Sequence, residues 1–172
     1  MTPGTLVLLH APSSSATAWG DLPEMLRSYG MDVVTPDVAE SGTRYVARAS
    51  LIIAATAPAS PLVLVAYGAA GPLLPAVALA QRAAHRKVGG YVFIDAELPR
   101  PRREHDHDHG DPPAPVPSDW PDAPCGYLRT NGAQPDEHHE AMREATLRGW
   151  PVVEQRPPTA VAQSLSELIA TL

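Results

Sequence analysis

The chain has 172 residues, a formal net charge of −6 and a hydrophobic fraction of 44%. This length most simply makes one domain with enough apolar material for a real core, and the acidic balance excludes a nucleic-acid binder, which needs a basic surface. Cys125 is the single cysteine, so no internal disulfide can form, which fits a reducing, cytoplasmic setting.

Residues 5–10 (TLVLLH) are predicted to form the first strand. The run is too short for a signal-peptide core, and no basic residue precedes it. Trp19, Leu22, Met25, Leu26 and Tyr29 recur at spacings of three and four, which predicts a helix over 19–29 with Gly30 as its C-terminal cap. A second strand is expected at 32–38 (DVVTPDV). A second helix follows over 43–56, carried by Tyr45, Val46, Ala49, Ile52 and Ile53. The third strand is expected at 61–67, a helix at 69–86 and the fourth strand at 89–96 (GGYVFIDA). No charge occurs between Arg48 and Arg82, a span long enough for a membrane helix. Pro58, Pro61, Pro72 and Pro75 interrupt it, however. A strand buried on both faces, flanked by two helix ends, accounts for it better, and no membrane association is expected.

The texture changes over 97–121. Seven prolines and the run Glu104-His105-Asp106-His107-Asp108-His109 preclude a regular helix or a central strand there. Regular patterning resumes with a strand at 123–129, a helix at 136–148 stopped by Gly149, a short strand at 150–155 and a closing helix at 160–172. Repeated strand–helix alternation implies a three-layer α/β sandwich around a mostly parallel six-stranded sheet, with right-handed crossovers. The whole chain, 1–172, is read as one such domain. Ligands of such sheets bind beyond the carboxyl ends of the strands, where His10, Asp37, Gly68, Asp95 and Thr130 fall.

One segment carries more information than the rest. Residues 62–71 read LVLVAYGAAG, a strand, a sharp turn and a helix start. That is the context of the G-x-S-x-G nucleophile elbow. Ala66 and Ala70 supply small residues at its outer positions, but the central position is Gly68 instead of Ser. Glycine meets the backbone demand of the turn, since it adopts positive φ without steric cost, and brings no nucleophile.

With these pieces in order, the sequence resembles the α/β-hydrolase family. Leu8-Leu9-His10-Ala11, then serines and Trp19, resembles the strand and His-Gly loop that line the family's oxyanion hole. Thr35-Pro36-Asp37 resembles the end of the next strand, 66–71 the elbow, and Val92-Phe93-Ile94-Asp95 the strand beyond it. The stretches 123–129 and 148–153 resemble the last two strands of small actinobacterial-type members. The departures are specific. The elbow Ser is Gly68, the Gly of the His-Gly pair is Ala11, and the loop after the last strand (154–160) has no His. Asp136 or Glu137 could match the family's acid, yet an acid has nothing to orient without its His. The loop at 97–121 stands where the family inserts its cap. The resemblance therefore implies a reduced α/β-hydrolase core without Ser–His hydrolysis.

Each candidate residue has a functional and a structural reading. His10 could donate or accept a proton at the site, or bond backbone and shape its loop. Tyr67 could act on a ligand through its hydroxyl, or simply pack. Asp95 and Asp37 could be general bases, or organise strand ends. The catalytic set is taken as His10, Tyr67 and Asp95, with Ala11, Ser13, Ser14, Gly68, Ala69 and Thr130 around the substrate. Ser13 to Ser15 could instead be a polar turn feeding a helix. Alternating imidazole and carboxylate at His105, His107 and His109 is good ligand chemistry. No rigid element holds the three residues, so no metal site and no cofactor are assigned. Cys125, inside a strand, reads as a small buried hydrophobe.

Three functions stay open. The first is a non-hydrolytic enzyme performing proton transfer, cyclisation, elimination or epimerisation on a small specialised metabolite. The second is a pseudoenzyme that binds a ligand or docks a partner. The third is a residual ester or thioester hydrolase. A lost cap would bare apolar surface, which makes a homodimer a candidate assembly.

Overall fold

The runs around residues 6–9, 62–66 and 91–94 have no polar face. That pattern belongs to strands covered on both sides. The computed structural model, which describes residues 1–100 and 114–172, contains β1 (Thr5–Leu9), β2 (Val33–Val34), β3 (Leu62–Tyr67), β4 (Val88–Ile94), β5 (Cys125–Arg129) and β6 (Val152–Glu154). They make one sheet in the order β2-β1-β3-β4-β5-β6, and every neighbouring pair is parallel. The helices are α1 (Leu22–Ser28), α2 (Gly42–Thr56), α3 (Leu74–Ala83), α4 (His139–Leu147) and α5 (Val161–Thr171).

Successive strand residues point to opposite faces, so the same strands build two cores. Val7, Leu9, Leu64, Ala66, Phe93 and Tyr127 pack with residues of α2, α3 and α4, including Tyr45, Ile53, Leu74 and Ala145. Leu6, Leu8, Val63, Val65, Ile94 and Leu128 pack on the other face with Leu22 and Leu26 of α1 and with Leu165, Leu168 and Ile169 of α5. The result is the expected three-layer arrangement.

Prolines explain where the elements depart from their predicted extents. Helix α1 starts at Leu22, with Pro23 in its first turn, where a missing N–H costs nothing. Trp19 sits just before it in a separate 3-10 turn over Ala16–Trp19. Strand β2 keeps only two residues. Pro36 cannot donate to a ladder, and β2 lies at the sheet edge. The helix expected over 69–86 is divided: Gly68–Leu73 is a 3-10 turn containing Pro72, and α3 begins after it with Pro75 in its first turn.

The described parts of 97–121 hold no helix or strand. Their return to the sheet is nevertheless firmly tied. Trp120 meets Tyr91, Phe93 and Trp150 edge to face. Asp122 accepts a hydrogen bond from Tyr91 at 2.9 Å and pairs with Arg82. The run His105 to His109 lies outside the described residues. Among the described residues no helix is long and apolar enough to cross a membrane.

Candidate functional site

The turn after β3 has the geometry that its sequence predicts. Gly68 takes φ +57, a conformation that costs side-chain-bearing residues about 1–3 kcal/mol. A Cβ at this position would lie 3.5 Å from the Cβ of Ala11, so the elbow and the loop after β1 are in contact. The turn is also clamped from below. Gly68 accepts a hydrogen bond from the Glu97 N–H at 3.2 Å. A Cβ on Gly71 would come within 1.8 Å of the Glu97 carbonyl oxygen, so only glycine lets these two backbones approach.

His10 ends β1 and is 1% exposed. Its Nδ1 lies 2.7 Å from the Ala11 carbonyl oxygen, and its Nε2 receives the Val38 N–H at 3.0 Å. A carbonyl can only accept and an amide can only donate, so the proton rests on Nδ1 and the ring is neutral. Tyr45 donates to the His10 carbonyl at 2.6 Å and sets its ring edge-on to the imidazole. Asp37, 3.8 Å from Nε2, accepts the Ala16 N–H at 3.0 Å. Both ring nitrogens are thus engaged, Nδ1 with the loop after β1 and Nε2 with the chain beyond β2. Leaving the buried Val38 N–H unpaired would cost about 1–3 kcal/mol.

Asp95, just past β4, is 3% exposed and has φ +44. Its N–H donates to the Leu128 carbonyl at 3.0 Å. Its carboxylate accepts the Thr130 N–H at 2.8 Å and the Thr130 hydroxyl. Tyr67 stands differently. It is 41% exposed, and its hydroxyl bonds to no described residue. Partial burial, together with the negative charges of Asp95 and Glu137, pushes its pKa above the usual tyrosine value. At neutral pH it is therefore a protonated donor.

Beyond the strand ends, on the side covered by α1 and α5, lies a cavity of about 520 Å³. That is an ordinary size for a small-molecule site. Trp19, Leu22, Met25, Ile94 and Val161 give it apolar walls, and His10, Asp21, Tyr67 and Thr130 supply its polar groups. Trp19 meets Tyr67 edge to face at 5.9 Å. Of the residues predicted for the site, His10, Tyr67 and Thr130 line this cavity, and Asp95 reaches it through Thr130. Gly68 and Ala69, in the adjoining turn, and Ala11, in the loop after β1 that touches it, lie outside its wall. Ser13 and Ser14 are exposed in the loop after β1, where the Ser14 N–H bonds the Ala11 carbonyl at 2.9 Å.

Sequence reasoning missed Trp19, Met25 and Val161 as wall residues. Their helical spacing marks burial without saying what they bury against. A second depression, of about 600 Å³, has a charged wall that includes Glu97, Arg100, Asp136, His139 and Glu144. Among the described residues no three His, Cys, Asp or Glu side chains converge to hold a metal ion.

The architecture recurs in solved structures. A variant of tomato methylketone synthase I superposes with a TM-score of 0.69 at 12% identity, covering 99% of both chains. An extracellular α/β-hydrolase from a Paenibacillus species gives 0.65 at 14% identity over 98% of each chain. A methylesterase from Arabidopsis gives 0.65 at 14% identity, over 97% of this chain and 98% of its own. No family model matches the sequence. No curated protein matches it either. The chain has the α/β-hydrolase fold, in a small, reduced form built on one all-parallel sheet.

Proposed function

We propose that this protein is a non-hydrolytic enzyme that binds a small, largely apolar metabolite in the cavity and moves a proton on it. The observation that carries this reading is Tyr67 in the cavity wall, with a hydroxyl that bonds to no described residue, next to a turn whose residue 68 has no nucleophile. Tyr67 is the acid. Thr130 lines the same cavity with its hydroxyl directed to Asp95. A proton taken from the ligand by Thr130 Oγ1 therefore passes, as the hydroxyl proton leaves, to the Asp95 carboxylate. His10 holds the loop in place. An apolar wall and one positioned acid suffice for isomerisation, elimination or cyclisation of a reactive carbonyl compound.

Two neighbours suggest probes. Tomato methylketone synthase I has been solved with 2-tridecanone and, as a variant, with β-ketoheptanoate, and the Arabidopsis protein is a methylesterase. Incubation with 2-tridecanone, β-ketoheptanoate and a methyl ester in D₂O, followed by mass spectrometry, separates the chemistries. Deuterium exchange at the carbons beside the ketone carbonyl, slowed about 100-fold or more in Tyr67→Phe, is the expected result. Hydrolysis of the methyl ester as the sole reaction would overturn the proposal.

A second reading is a binding protein without turnover. It is favoured by the commitment of both His10 nitrogens to the backbone. Under that reading ligands raise the melting temperature and come back unchanged.

A further inference from the structure

We propose that Gln155 is the positioning residue of the site: its side-chain amide fixes the turn that carries Thr130 and ties it to the segment that starts α5. The inference rests on the reading of Thr130 as the group that takes the ligand's proton. Gln155 follows β6, and its N–H donates to the Arg129 carbonyl at 2.8 Å. Its Oε1 accepts the Asn131 N–H at 2.8 Å, and its Nε2 donates to the Thr159 carbonyl at 2.6 Å. A backbone N–H can only donate and a carbonyl can only accept, so the side-chain amide has one possible orientation. Gln155 therefore holds the chain on both sides of Thr130. Asp95 holds Thr130 itself, through its N–H and its hydroxyl.

The third bond reaches a different part of the wall. Thr159 immediately precedes Ala160, Val161 and Ala162, which line the cavity as Thr130 does. Gln155 is not among the lining residues, and both ends of its amide are already used, so it acts through Thr130 and not on a ligand. Its bonds are also poorly placed to serve the fold alone. Asn131 is exposed and Thr159 half-buried, so water could satisfy both groups, and fixing a long side chain at both ends costs its rotamer freedom. What the amide supplies is geometry. Thr130 Oγ1 must stay aimed at Asp95 while it meets the ligand, and a misplacement of about 1 Å can cost about 100-fold in rate.

The test uses Gln155→Met, which keeps the length of the side chain and deletes both of its bonds. Deuterium exchange into 2-tridecanone should slow about tenfold or more in kcat, with KM within about twofold, because no wall residue has changed. A residue that served stability alone would lower the urea midpoint and leave the rate of the folded protein unaltered. In a Thr130→Val background the same substitution should slow exchange by less than about twofold further, since its effect passes through the Thr130 hydroxyl. A second measurement needs neither substrate nor substitution. In ¹⁵N-labelled parent protein the Asn131 amide should be protected from hydrogen exchange at least about tenfold more than that of Gly132, whose N–H bonds to no described residue.

An unchanged kcat in Gln155→Met, a loss confined to KM, an undiminished effect in the Thr130→Val background, or an Asn131 amide as unprotected as that of Gly132 would each overturn the inference. Any of these with a parent protein that exchanges deuterium would leave the enzymatic reading standing. A parent protein that exchanges none would sink that reading, and the Asn131 amide would then decide alone whether Gln155 fixes the turn.

Discussion

Thr130 holds the carboxylate of Asp95 twice, through its backbone N–H at 2.8 Å and through its hydroxyl. One of the two bonds can be removed without changing shape. Thr130→Val keeps the volume and the amide bond and deletes the hydroxyl. The expected loss is about 1 kcal/mol of stability in urea unfolding. Turnover of any substrate should fall by an order of magnitude or more while its dissociation constant stays within about twofold. A large change in affinity with unchanged turnover would put Thr130 in binding instead of proton transfer.

His10 carries a structural load. His10→Ala removes the acceptor of the buried Val38 N–H and the ring that Tyr45 packs against. The protein should lose about 3 kcal/mol, combining an unpaired buried amide with a cavity. Denaturant melts read this directly. A variant as stable as the unsubstituted protein would mean that the imidazole is free to act in chemistry.

The elbow depends on close backbone approach. A methyl on Gly71 would overlap the Glu97 carbonyl, 1.8 Å away, and backbone cannot yield as a side chain would. Gly71→Ala should therefore cost about 3 kcal/mol or more, read as a lowered urea midpoint. Gly132→Ala meets only the Thr130 hydroxyl, at 3.7 Å, and should change stability by less than about 0.5 kcal/mol.

Alkaline pH should weaken the fold through its buried acids. Desolvation pushes the Cys125 thiol from its usual 9.0 up to about 12. Below pH 9.0 the thiol is neutral, folded or unfolded. Above that, the unfolded chain gains by ionising while the folded chain keeps its proton, so stability falls as pH rises toward about 12. Tyr45, Tyr91 and Tyr127, whose phenols are also raised chiefly by burial, extend the loss above the usual tyrosine value. Urea midpoints should decline across this window. At about pH 8 the native thiol should resist a disulfide reagent that labels the unfolded chain at once. Rapid native labelling would contradict its burial.

Much of the architecture was legible because its causes are local. Continuous apolar runs such as 62–66 need cover on both faces, and alternation with helices then dictates a parallel sheet. The turn at Gly68 was legible for the same reason, since strand, small residues and glycine lie within ten positions. Extents were less legible. The residues at 32–38 and 69–86 have suitable composition, but Pro36, Pro72 and Pro75 shorten or divide the elements. The cavity was least legible. Its wall joins Trp19 and Met25 near one end of the chain to Val161 near the other, and periodicity marks each as buried without naming a partner. His10 was placed correctly at a strand end. Its commitment to Val38 depends on how the chain returns after β2, which no spacing reveals.

The central claim is that the elbow keeps its shape and lacks the means to attack an ester. Gly68→Ser tests it most directly. Serine at φ +57 costs about 1–3 kcal/mol, and its Cβ meets only Ala11 at ordinary contact distance, so the variant should fold. Among the described residues His10 is the one imidazole in the cavity wall, and both its nitrogens are occupied. The new hydroxyl therefore finds no free imidazole base among the described residues of that wall. With p-nitrophenyl acetate, the variant should show no burst, no acyl adduct by intact mass and no turnover above the parent protein. A burst followed by steady hydrolysis would contradict the account.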